Sequence, residues 1–365
     1  MALKTYAIAA TMALGATAGS VAAADLTASM WLPQTYAQSK HAYTGMFDRI
    51  NSNADADLNV EVFFGGSLLP AKTTLEGVGD GAADIGFVYP AYTPAEVPIQ
   101  AFLNNASFVA SDSLVVSLAY TELNFTNADA LAEWDKRGVV FTGAYSTPLY
   151  YFMCNTPVTT LAEAAGKRMR TAGASFSALA DSLGGSAVSV PIGDAYSGMQ
   201  RGSLECILAD PTNLVSASFN EVVTDVTVAP LGVVTGANWV WNKDTWAGLS
   251  DAQRALLVDE MALGIVQTQL QFDADTTASF EDAKAKNINI HEPAADLADH
   301  LTAFKAQFIA DLIANSADVP NAQALFDEYT ALQAAWTERL EGVDRTDEAA
   351  VLAVVKEHLM SKFSQ

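Results

Sequence analysis

LAEAAGKRMRTAGASFSALADSLGGSAVSVPIGDAYSGMQRGSLECILADPTN, residues 161–213, reads as three short strands separated by two helices. A polar turn at Thr159 and Thr160 precedes it, and Gly166 stands ahead of the strand MRTAG, which carries Arg170 towards a turn at Gly173. The helical run 176–183 stops at Gly184 and Gly185, a pair suited to the left-handed cap that closes many helices. Residues 187–190 read as a second strand, Asp194 opens a helix that ends before Gly202, and 204–208 form a third strand that Asp210-Pro211 breaks. Repeated β-α-β patterning predicts an α/β fold with parallel strands under helices. In such sheets ligands gather beyond the carboxyl ends of the strands, where Arg170, Asp210 and Asn213 fall.

Outward from this stretch, 365 residues of which 50% are hydrophobic suffice for one large or two medium α/β domains. A net charge of −23 excludes nucleic acid as a partner, since phosphates call for Lys and Arg, and means that an anionic ligand needs a local cationic site. Lys4, the short apolar run 6–16 and Ala22-Ala23-Ala24 before Asp25 form an export signal over residues 1–24. The alternative is an uncleaved anchor, for which the run is short. No other run is long and apolar enough to span a membrane, so the mature chain is expected in the periplasm without stable membrane insertion. Cys154 and Cys206 lie in strand-like runs of one domain, and an oxidising compartment favours a disulfide between them; two separate buried thiols are the alternative. With two Cys and four His, zinc-ligand spacing is absent, and no metal or cofactor is expected.

In chain order, 26–32 alternates as a first strand leading to Trp31, Pro33 and Gln34; a helix over 39–52 follows, then a half-buried strand at 58–64. Gly79, Gly81 and Gly86 lack the spacing of a nucleotide loop and read as turn glycines. Tyr89 and Tyr92 stand at the carboxyl end of the strand 85–89, placed either to wall a ligand cleft or as rim aromatics. Helices at 111–125 and 127–137 precede a strand at 139–145, and around Tyr145 to Tyr151 the chain crosses to a second domain. It returns over 222–236 to a strand, 238–241, with Trp239 and Trp241 on one face. Ser250 and Gln253 form a capping box for a helix over 251–286, interrupted only by Gly264. A strand at 288–290, helices at 293–316 and 321–340, and an amphipathic tail helix with Ala350, Leu352, Val355, His358 and Leu359 on one face complete the chain.

Gly166-Lys167-Arg168-Met169-Arg170, Leu183-Gly184, Val190-Pro191, Asp194-Ala195-Tyr196, Gly202-Ser203-Leu204-Glu205-Cys206 and the earlier Gly81-Ala82-Ala83-Asp84 occur in this order. The pattern resembles the extracytoplasmic solute receptors of tripartite ATP-independent periplasmic (TRAP) transporters, of the dicarboxylate-receptor type. It departs from them at Glu205 and Cys206, where that family has Asp and Gly, and Cys206 does not reach the backbone angles open to Gly. The resemblance implies a two-domain periplasmic-binding-protein fold with an interdomain cleft and a long helix spanning both domains. The first domain is then 25–146 with about 237–285, the second 147–236 with about 286–345, and 346–365 a C-terminal helix. It further implies that Arg170 anchors a ligand carboxylate, that the loop after the first strand faces the ligand, and that Thr235 or Asn238 contributes a polar contact. Trp31, Tyr89, Tyr92, Tyr145, Asp210, Asn213 and Trp239 complete the candidate ligand-binding set.

A guanidinium fork pairs bidentately with a carboxylate, which suits Arg170 to this role; its alternative is a structural ion pair, and Arg168 replaces it if the strand register is shifted by two. The strand Ser189-Val190-Pro191 lacks the second Arg of some relatives, and the Gly-Trp-acid run with which others hold a metal is not found around Gly236. A monocarboxylate, or a zwitterion whose cationic end faces Trp or Tyr, therefore fits better than a dicarboxylate. The implied partners are a small organic acid or zwitterion and a membrane permease. An exported sensory module without transport is the second reading. A secreted hydrolase is the third, disfavoured because there is no Gly-x-Ser-x-Gly elbow and no His has a recognisable nucleophile or metal partner.

Overall fold

Leu58 and Val60 alternate with Asn59 and Glu61, and the strand they form buries the first pair and exposes the second. It is one of eleven strands in the computed structural model, which describes residues 24–363. The export signal expected over 1–24 lies, apart from Ala24, outside the described residues. The strands are β1 (Ala24–Met30), β2 (Leu58–Phe64), β3 (Ile85–Val88), β4 (Val139–Ser146), β5 (Tyr151–Cys154), β6 (Arg168–Thr171), β7 (Ser186–Ser189), β8 (Cys206–Ala209), β9 (Asp225–Thr227), β10 (Thr235–Asn242) and β11 (Asn289–His291).

They build two sheets, ordered β2-β1-β3-β10-β4 and β11-β9-β5-β8-β6-β7. Within each, strands joined through helices are parallel, as in β1 with β2 and β3 and β6 with β7 and β8. The strand that enters directly from the other lobe, β10 or β5, runs antiparallel to its neighbours. Helical crossovers return each parallel strand to the same end, so the carboxyl ends of β1, β3, β6 and β8 collect on the side where the lobes face each other.

The crossings 147–150 and 228–234 pair with one another: Thr147 N–H donates to Val234 O at 2.9 Å, Tyr150 N–H to Gly232 O at 2.8 Å, and Leu231 N–H to Tyr150 O at 3.0 Å. Gly232 lies at φ +113°, and a Cβ there would sit 2.0 Å from the Phe108 carbonyl oxygen, so no side chain fits this ribbon.

The long helix Asp251–Ala285 starts at the capping box, with the Ser250 hydroxyl accepting from Gln253 N–H and Gln253 Oε1 from Ser250 N–H. At 1.5 Å per residue it extends for about 50 Å, enough to reach across two small lobes. It does so: Glu260 pairs with Arg49 at 2.7 Å and Gln269 donates to Ser146 O at 3.0 Å on the five-stranded lobe, while Asp282 accepts from Asn220 at 2.5 Å and Phe280 packs on Tyr151 of the six-stranded one.

The helix Ala322–Arg339 lies on the five-stranded lobe, through Tyr329 against Tyr120 and Arg339 to the buried Glu122 at 2.7 Å. The segment 322–345, expected with the second domain, therefore adjoins the first, because its apolar stripe completes the core behind Ser113–Thr126. The tail helix Glu348–His358 also turns differently from the expected face: Val351, Val355 and Leu359 are fully buried, while Ala350, Leu352 and His358 are only partly so. Cys154 stands opposite Cys206 across β5 and β8, and the two are bridged.

Candidate ligand-binding site

Register places Arg170. In β6, Arg168 is exposed, Met169 points into the core, and Arg170 is buried to 1% exposure at the end of the strand, flanked by Val188 and Ile207. Arg168 instead pairs with Glu205 at 3.2 Å and donates to the carbonyls of Gly202 and Ser203, while Lys167 reaches Thr156 at the surface. The left-handed turn falls on Gly202, at φ +69°, so Cys206 lies in ordinary strand and its side chain meets no backbone restriction.

Three of the five Arg170 N–H groups are held by protein: Nε donates to Val190 O at 3.0 Å, Nη1 to Leu208 O at 3.3 Å and Nη2 to the Tyr92 hydroxyl at 3.4 Å. Two donors remain, on a guanidinium fixed from three sides. No acidic side chain among the described residues lies within ion-pair distance of it.

Arg170 lines a cavity of about 40 Å³ between the lobes. From the first lobe come Trp31, Phe87, Tyr89, Tyr92 and Tyr145, an aromatic wall in which Trp31 lies 5.1 Å from Phe87 and 5.6 Å from Tyr92, and Phe87 stacks on Tyr145 at 4.7 Å. From the second come Arg170, Asp210 and Asn213. Of the residues singled out in the sequence, Thr235, Asn238 and Trp239 are not brought to the cavity. Thr235 donates to Tyr145 O at 2.6 Å, Asn238 to Ala144 O at 3.1 Å, and the Trp239 indole to Ala42 O at 2.8 Å, all inside the first lobe. Tyr36, Gln38, Tyr150 and Phe272 also line the cavity and were not singled out. Tyr36 and Gln38 follow the first strand, in the loop already suspect for Trp31, and Tyr150 lies on a crossing segment. Phe272, in mid-helix, carries no local signal.

Asp210 is 4% exposed. Its Oδ1 accepts from the Thr212 N–H at 3.1 Å and from the Thr212 hydroxyl, and its Oδ2 from Asn213 Nδ2 at 2.8 Å. Burial outweighs these bonds and pushes the carboxyl up to about 6. The phenols of Tyr36, Tyr89, Tyr92 and Tyr150 are raised by burial and stay neutral at physiological pH; for Tyr92 the Arg170 charge works against that rise. Across the cleft the Tyr89 hydroxyl donates to Ala172 O at 2.8 Å, Tyr36 to Asn213 Oδ1 at 3.1 Å and Thr35 to Ser216 O at 2.8 Å, while Tyr92 Oη accepts from Ile192 N–H at 3.2 Å. Larger hollows lie elsewhere, of about 330 Å³ beside the Asp112–Arg345 ion pair and about 510 Å³ along an apolar surface near Trp246; neither joins buried charge to enclosure. Among the described residues no group of three or more His, Cys, Asp or Glu is placed to hold a metal ion.

The sequence model of the family described as bacterial extracellular solute-binding protein, family 7, matches residues 28–310. The chain belongs to that family. It is a solute receptor of the TRAP type, in a family whose members bind substrates and are not enzymes. A solute-binding protein of Albidiferax ferrireducens is 22% identical over 308 residues, covering 75% of this chain and 86% of its own. The fold is that of a Bordetella pertussis extracytoplasmic solute receptor binding pyroglutamic acid, with TM-score 0.75, 20% identity, and 84% of this chain and 100% of the other covered. It is equally that of a Bordetella bronchiseptica TRAP periplasmic solute-binding protein with bound (R)- and (S)-mandelate, with TM-score 0.75, 19% identity and coverage of 86% and 99%. No described helix of this receptor is long and apolar enough to cross a membrane.

Proposed function

We propose that this receptor works in the periplasm, exported by the signal at its N-terminus, where it captures a small carboxylate-bearing solute by closing its two lobes and delivers it to a TRAP membrane permease. The observation that carries the reading is Arg170: a guanidinium buried to 1% exposure, in a chain of net charge −23, with two N–H donors left over beside an interdomain cavity. A carboxylate is the group whose geometry matches such a fork. Pyroglutamate and mandelate, bound by the two Bordetella receptors, are both small monocarboxylates. The single Arg in the cavity lining agrees with one carboxylate rather than two. Closure follows from the ribbon formed by the two crossings, which lets the lobes rotate while a ligand touching both favours the shut arrangement. We assign 25–146 with about 237–285 to the first lobe and 147–236 with 286–316 to the second, with the long helix bridging them and 322–363 packed on the first.

A thermal-shift screen over small organic acids and zwitterions identifies the solute, because a tight ligand raises the melting temperature by mass action. Titration calorimetry then compares native protein with Arg170→Lys and Lys167→Ala. Lysine keeps the charge and loses the fork, so Arg170→Lys is expected to lose about 2–5 kcal/mol of binding, roughly 30-fold to several thousand-fold, with folding intact. Lys167→Ala is expected to bind as the native protein does. Equal affinity of Arg170→Lys and native protein would remove Arg170 as the anchor.

A further inference from the structure

We infer that the solute carries, beside its carboxylate, an ammonium or N–H group, and that Asp210, with Gln38 lining the same cavity, reads that group. The inference rests on the Arg170 reading and deepens it. Arg170 and Asp210 are 1% and 4% exposed and line one cavity, yet they do not pair with each other. Two opposite charges held apart in an enclosed space are complementary to a ligand that carries both signs, or a carboxylate and a strong donor, at opposite ends. A ligand with a carboxylate alone would satisfy Arg170 and leave the Asp210 carboxylate facing a like charge.

The acceptors point the same way. Asp210 takes three hydrogen bonds from Thr212 and Asn213, of about four that a carboxylate can accept, which fixes its orientation and leaves capacity on Oδ2. Gln38 is 3% exposed, lines the same cavity, and its Oε1 has no partner among the described residues. A buried amide oxygen left unpaired calls for a donor from whatever fills the space. A ligand supplying N–H groups within the cavity satisfies both Asp210 and Gln38, which a second carboxylate or a bare ring does not.

The charged and titratable groups that line the cavity with Asp210 are Arg170 on β6, Tyr36 after β1, Tyr89 and Tyr92 after β3, Tyr145 on β4 and Tyr150 before β5. The phenols are raised by burial, so Asp210, at about 6, is the acid of this set that titrates near neutrality. Lowering the pH through that value discharges the acceptor and weakens an N–H ligand. The same protonation gives Asp210 a hydrogen to donate, which strengthens a nitrogen-free carboxylate. The two ligand types therefore respond to pH in opposite directions.

The test uses matched pairs: pyroglutamate against the lactone with ring oxygen in place of N–H, proline against cyclopentanecarboxylate, and phenylglycine against phenylacetate. Melting shifts find the responding pair, and calorimetry measures native protein, Asp210→Asn and Arg170→Lys from acid to neutral pH. The expected result is that the nitrogen-bearing member binds about 30-fold tighter or more at neutral pH, and that this advantage shrinks both in Asp210→Asn and below about pH 6. If Asp210→Asn does not fold, the opposed pH slopes of native protein decide the matter alone. Equal binding of both members, or tighter binding of the nitrogen-free one, with Arg170→Lys still impaired, overturns the role of Asp210 and leaves the Arg170 reading standing. No response to any pair, or binding indifferent to Arg170→Lys, overturns both.

Discussion

Burial sets the energetics of Asp210 in the ligand-free protein. Its carboxyl stands at about 6 against an ordinary value of 3.8, so the folded state holds the proton more tightly than the unfolded one. Below about pH 3.8 both states are protonated and the group adds no penalty; as pH rises through the folded value the penalty grows, and above it is complete. That difference in proton affinity corresponds to about 3 kcal/mol. Asp210→Asn removes the ionisation while keeping an acceptor for Thr212, so it is expected to raise the stability of the empty protein by up to about that amount at pH 8 and little at pH 4. Urea melts of both proteins at the two pH values measure it. A variant less stable than native at pH 8 would contradict the argument. Gain in stability with loss of ligand is what a binding residue held under unfavourable conditions produces.

Among the elements, the long helix was the most legible in sequence and explains its own interruption. Ser250 and Gln253 announced its start, and the absence of proline carried it to Ala285. Gly264 remains in the middle because a Cβ there would lie 3.0 Å from the Trp239 ring, which is tethered through its indole N–H to Ala42 O at 2.8 Å. Alanine at this position gains about 1 kcal/mol of helix propensity, but overpacking a tethered ring costs about 1–3 kcal/mol. Gly264→Ala is therefore expected to lower the stability, whereas Gly248→Ala, with open space around it, is expected to be neutral or better. Chemical denaturation separates the two, and a stabilised Gly264→Ala would show that the ring yields. Strand β10 was less legible for a physical reason. Its register shifts between Ala237 and Trp239 and again before Val240, so alternation along the sequence does not tell which face Asn238 occupies. Arg170 and Asp210 were readable because they stand at regular strand ends, a position that topology alone turns towards the cleft, and Asn213 because it opens the short helix just beyond. Phe272 was not, since nothing local distinguishes one buried helix residue from another.

For the whole molecule, the proposed closure turns on the contacts between the two lobes. The lobes touch through hydrogen bonds of Tyr89, Tyr36, Thr35, Tyr92 and Asn105, each contributing about 1 kcal/mol net, and through Phe108 of the first lobe packed on Phe176 and Phe308 of the second. On the proposed reading, a solute held by Arg170 on one lobe and the aromatic wall on the other adds to these contacts only in the shut arrangement. The tryptophans give a means of following it. Of six in the chain, Trp134, Trp239, Trp241, Trp246 and Trp336 are buried within the protein away from the cavity, while Trp31 lines it and packs on Tyr92, itself a partner of Arg170. The receptor thus offers an optical probe of its own: five indoles sit away from the cavity, and one lines it. Saturating ligand is expected to shift intrinsic fluorescence in native protein, and Trp31→Phe to lose the shift while calorimetry still registers binding. A full signal surviving in Trp31→Phe would place the light-sensing indole elsewhere. Without any label, then, the rate at which the cleft fills can be followed in a stopped-flow cell from the colour of a single side chain.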